Sequence, residues 1–150
     1  MIKNYITLLP DEVISKIISY SYSPQPKELC EDVRSYKKTE AYLKKNYRKD
    51  YKYEADAMGW LANNIYRFLN DNLPTMYGYQ PRFINIFKRP IQNHVKSDTE
   101  IINYIENLSE LSISDYRCID VNISIALLNI SERIQLINWL DNLRWNNPLL

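Results

Sequence analysis

Apolar positions in this chain recur mostly at spacings of three and four, the period of a helix packed on one side. Val13, Ile14, Ile17 and Ile18 form the first such face, opened by Pro10 at a helix start and by Asp11 and Glu12 against the positive end of the helix dipole. The segment from Tyr20 to Pro26 breaks it, and Pro26 opens a second short helix carrying Leu29, Cys30 and Val33. A third is expected to begin near Thr39, with Leu43 and Tyr47 four apart. The longest stripe, Met58, Leu61, Ile65, Phe68 and Leu69, predicts a central core helix over Ala55–Asn72, ended by Asn70, Asp71, Asn72 and Pro74.

Farther along, Leu73 to Pro81 is turn-like and sets Gly78 between Tyr77 and Tyr79, an exposed aromatic loop suited to contact. Arg82 to Arg89 predicts a short helix burying Phe83, Ile86 and Phe87 between two prolines. Ser97 to Glu100 fits a capping box, followed by Ile101, Ile102, Tyr104, Ile105 and Leu108 on an inward face. Residues 118–128 satisfy both strand alternation and helical spacing, and either reading stands. A last helix is expected from a Ser131 cap, with Ile134, Ile137, Trp139, Leu140 and Leu143 facing inward, followed by an apolar tail from Trp145 to Leu150. Tyr5 and Ile6 are placed to pack back on the first helix. The fold expected is mainly α: a compact multi-helix domain of 150 residues, with residues 1–53 a basic helical segment and residues 54–150 a helical remainder.

Composition narrows the functional classes. Only 2 glycines argue against glycine-rich phosphate loops and hairpin-rich β folds. Lys and Arg total 19 against 18 Asp and Glu, so any electrostatic function must be local. The local excess is Arg34, Lys37, Lys38, Lys44, Lys45, Arg48, Lys49 and Lys52, interleaved with tyrosines. That pattern suits nucleic acid, through phosphate neutralisation and stacking, or an acidic protein, and equally a solvated helix surface. His94 is the single histidine, without a nucleophile motif, and reads as a surface or capping residue; no metal, cofactor or catalysis is expected. Cys30 and Cys118 read as buried thiols in a reducing compartment. No apolar run of about eighteen residues and no leader-like start occur, so a soluble, non-secreted chain without a membrane span is expected.

Leu9-Pro10, Glu12-Val13, Ile17, Ser19-Tyr20, Leu29 and Val33 resemble an F-box, with Lys37 where that motif carries an aromatic and two prolines in place of its second helix. The segment PQPKELCEDVRSY is similar to the F-box-like proteins of large DNA viruses. The resemblance covers about the first quarter of the chain. It implies a viral protein acting by protein–protein interaction in the virion or host cytoplasm. The leading expectation is a structural or minor capsid-type component contacting other virion subunits. The alternative is an adaptor holding a Skp-type linker of a cullin–RING ubiquitin ligase, and the second alternative is a nucleic-acid-binding accessory protein. The partner-binding residues so implied are Leu9, Pro10, Val13, Ile17, Ile18, Leu29, Val33 and Tyr36, with Tyr77 and Tyr79 added by the loop reading.

Overall fold

The computed structural model describes residues 13, 26–115 and 118–146, with side chains left aside for residues 111–115 and 144–146. The chain divides into two compact units, Met1–Glu31 and Asp32–Leu150. In the first, Val13 is helical and exposed, and a weak surface pair joins Lys27 to Glu31 at 3.7 Å. Apart from Val13, the expected first helix lies outside the described residues, as do the Tyr5–Ile6 staple, most of the following turn and residues 147–150 of the tail.

From Lys27 on, six α-helices are seen among the described residues: α1 Lys27–Asp50, α2 Glu54–Leu69, α3 Pro81–Phe87, α4 Asp98–Asp115, α5 Ile119–Leu127 and α6 Ile130–Asn146. Among the described residues there is no strand, and no helix is long and apolar enough to cross a membrane. α1 unites the two helices expected after Pro26. From Lys27 to Asp50 neither glycine nor proline interrupts the chain, so nothing near Thr39 stops a helix already begun. The ambiguous stretch 118–128 is helical over Ile119–Leu127, with Val121, Ser124 and Ile125 buried at helical spacing and Leu128 buried just past its end.

α2 lies at the centre and packs against α3, α5 and α6, while α4 packs on α3 and α5. Its whole predicted stripe is buried, joined by Ala57 and Tyr66. Burial of each such large side chain contributes about 1.5–3 kcal/mol. Phe83 of α3 sits among the rings of Tyr66, Tyr79 and Phe87, with centroids 5.4, 5.2 and 5.2 Å away. Burial raises the Tyr66 phenol above its ordinary range.

Helix starts follow local chemistry. Pro81 occupies the first turn of α3. Ser97 and Glu100 form the expected box: the Ser97 N–H donates to Glu100 at 2.7 Å, and the Glu100 N–H donates to Ser97 Oγ at 3.3 Å. α6 is capped by Asn129 instead of Ser131, since the Glu132 N–H donates to Asn129 Oδ1 at 2.9 Å and Glu132 accepts from the Asn129 N–H. α6 also faces inward differently from expectation: Ile134 is exposed, and Arg133, Leu136 and Leu140 are buried. Cys30 and Cys118 are half-buried, where buried thiols were expected.

The Arg89 guanidinium holds Glu132 in a two-pronged pair at 2.6 Å and keeps its carboxyl below the ordinary 4.5. A depressed folded-state value means stability present above 4.5 and lost as the pH falls through that lower value. Glu132→Gln keeps the cap but removes this charge pair. Its urea midpoint is therefore expected to fall below wild type at neutral pH and to converge with it in acid. A gap independent of pH would refute the assignment.

Candidate functional site

Two surfaces carry the residues singled out from sequence. The first is the connection between α2 and α3, which turns on Asn70. Its side chain is 0% exposed; Nδ2 donates to the carbonyls of Leu73 and Gly78 at 3.0 and 2.9 Å, and Oδ1 accepts from the Gln80 N–H at 2.7 Å. Both ends of one amide are thus used, and they tie the start of the loop to its finish. Asp71 and Asn72 turn the chain in the left-handed region, at φ 53 and 67, which short polar side chains tolerate. Gly78, at φ 101, adopts a conformation that a larger residue would strain.

Outside this frame the loop is fastened twice more. Arg67 Nε donates to the Asn72 carbonyl at 3.0 Å, and Arg82 donates to Phe68 O and to Asp71, both at 3.2 Å, while lying over the Phe68 ring. Tyr79 turns inward against Phe83, and its burial raises the phenol pKa. What the frame presents is the short 3-10 turn Thr75–Tyr77, where Met76 is 80% and Tyr77 73% exposed. A flexible thioether and a broad amphipathic ring, held on a fastened turn, favour apolar contact with another surface.

The second surface is α1. Leu29 and Val33 are about half exposed, whereas Tyr36 lies half-buried against the core, near the Arg133 guanidinium. The basic set divides. Lys44 is half-buried and donates to Glu40 and Asn122, both at 2.8 Å; Lys37 pairs with Glu40 at 3.1 Å, and Arg48 pairs with Glu54. The Lys44 hydrogen bond leads in holding the Glu40 carboxyl low, against the cost of its burial. Arg34, Lys38, Lys45, Lys49 and Lys52 remain exposed, with Lys52 over the Tyr53 ring at 5.2 Å. Leu9, Pro10, Ile17 and Ile18 lie outside the described residues.

His94 is exposed, and its Nε2–H donates to the Arg89 carbonyl at 2.7 Å, a capping role in this tautomer. Among the described residues no three His, Cys, Asp or Glu side chains are grouped to hold a metal ion. Sequence reasoning missed Met76 and the organising role of Asn70. Asn70 was visible only as a helix terminator, because its three partners lie on both sides of the loop. Comparison of the chain with family models, with curated proteins and with solved structures gives no match.

Proposed function

We propose that this chain is a non-catalytic protein-binding module that docks through Met76 and Tyr77. The single observation carrying this reading is that a fully buried asparagine fastens a loop whose tip displays those two side chains. Ordering a loop before contact lowers the entropic cost of association, and Met and Tyr are residue types enriched at protein interfaces. Its narrower form, a structural or minor capsid-type subunit of a large DNA virus particle, rests on the PQPKELCEDVRSY resemblance. One observation favours the adaptor reading as a second: Val13, Leu29 and Val33, positions of the F-box pattern, are each exposed.

Met76→Ala/Tyr77→Ala is expected to leave circular dichroism and the melting temperature near wild type, because both side chains are already in solvent. In cells and purified particles the expected result is stoichiometric incorporation of wild type and loss of the double variant. Undiminished incorporation of the variant would sink the loop as the docking site. Absence from particles, with recovery of a Skp-type linker that Leu29→Ala/Val33→Ala abolishes, would establish the adaptor reading in its place.

A further inference from the structure

The solvent face of α1 segregates charge more completely than the near-neutral chain requires. At roughly 100° per residue, Arg34, Lys38, Lys45 and Lys49 fall within an arc of about 60° and extend along about 22 Å of helix axis. All four are exposed, and among the described residues none makes an ion pair. The one carboxylate between positions 34 and 49 is Glu40, which lies off this arc and is engaged by Lys37 and Lys44. Carboxylates stand around these four cations: Asp141 accepts from Tyr42 at 2.9 Å, Asp50 follows Lys49, and Glu31 precedes Arg34 in the same helix. The exposed rings of Tyr42 and Tyr53 lie beside the strip and just beyond its end.

We propose that this strip binds the phosphate backbone of single-stranded nucleic acid, a role separate from the Met76–Tyr77 contact. Cations in line on one rigid helix match a polyanion whose charges also repeat along a line, and flanking rings offer faces for unpaired bases. An anionic membrane fits less well. The apolar side of α1, Leu43 and Tyr47, is buried in the core, leaving no large aliphatic side chain beside the cations from position 34 to 49 to enter lipid.

The test is fluorescence anisotropy with a labelled oligothymidine of about 20 nucleotides, longer than the sites that single-strand grooves occupy. Four neutralised phosphates predict that the logarithm of affinity falls with the logarithm of salt at a slope of about −3 between about 50 and 200 mM. Lys38→Gln/Lys45→Gln, at exposed positions that leave the fold intact by circular dichroism, is expected to weaken binding at least tenfold at the lower salt and to halve the slope. Absence of binding at about 50 mM salt, a slope shallower than about −1, or a variant equal to wild type would overturn the proposal. So would equal displacement of the oligonucleotide by polyglutamate at matched charge, which would assign the strip to acidic proteins, or by anionic vesicles, which would assign it to membranes.

Discussion

Arg133→Met is expected to lower the free energy of unfolding by about 3 kcal/mol, read from urea titrations. Arg133 is 1% exposed, and its fork is used on several sides. Nε donates to the Ile125 carbonyl at 3.0 Å, Nη1 to the Asp32 carbonyl and carboxylate at 2.9 and 2.7 Å, and Nη2 to Ala126 O at 3.3 Å. Ile125 and Ala126 belong to the last turn of α5, where carbonyls fall outside the regular i+4 ladder, Ile125 O closing only on the Leu128 N–H at 3.3 Å, and the dipole favours a cation. One guanidinium therefore clasps α1, α5 and α6 together. Methionine fills much of the volume but donates to none of these acceptors, so the Ile125 carbonyl keeps only the Leu128 N–H at 3.3 Å. The Asp32 side chain is 45% exposed and can rehydrate, which holds the loss near the lower end of that for breaking a buried pair. Arg133→Lys should recover less than half, because an ammonium cannot reproduce the planar fork. A loss below about 1 kcal/mol for Met would show that the clasp contributes little.

Asn70→Ala is expected to cost about 2–3 kcal/mol and to loosen the proposed docking loop at the same time. The substitution strips partners from two carbonyls and one N–H, those of Leu73, Gly78 and Gln80. Hydrogen exchange at the Gln80 amide should accelerate well beyond the change in global stability, since that proton is held by the Asn70 side chain itself. Asn70→Asp separates shape from chemistry. It preserves the outline but turns a carboxylate oxygen toward two carbonyls, so its loss should match that of alanine at neutral pH and shrink in acid, where the protonated carboxyl again donates. Partner capture should weaken in both variants. Capture unchanged by Asn70→Ala would mean that the loop needs no preordering to bind.

How much of this was legible beforehand depended on the distance over which each interaction acts. The Ser97–Glu100 box, the Pro81 start and the α2 stripe were readable because caps and helical faces are settled within one or two turns. The exposed loop around Gly78 was readable for the same reason, whereas its two tyrosines were not separable: Tyr79 meets Phe83 and Tyr77 meets solvent. The basic run was plain in the sequence. Its division into a paired set and an exposed strip was not, since it required Asn122 and Glu54 to be brought beside α1. Residues 118–128 were ambiguous because alternating and helical patterns coincide over so short a stretch, and packing on α2 and α4 goes with the helix.

By itself, then, the sequence determined a chain of amphipathic helices, most of their starting points, a tyrosine-bearing turn before α3 and a local surplus of cations. Tertiary structure alone decided that Arg133 would be interior and Ile134 outside, reversing the ordinary preference of both side chains. The reason is physical: an arginine can be buried only where acceptors converge on it, and the carboxylate that meets Arg133 stands 101 positions earlier in the chain.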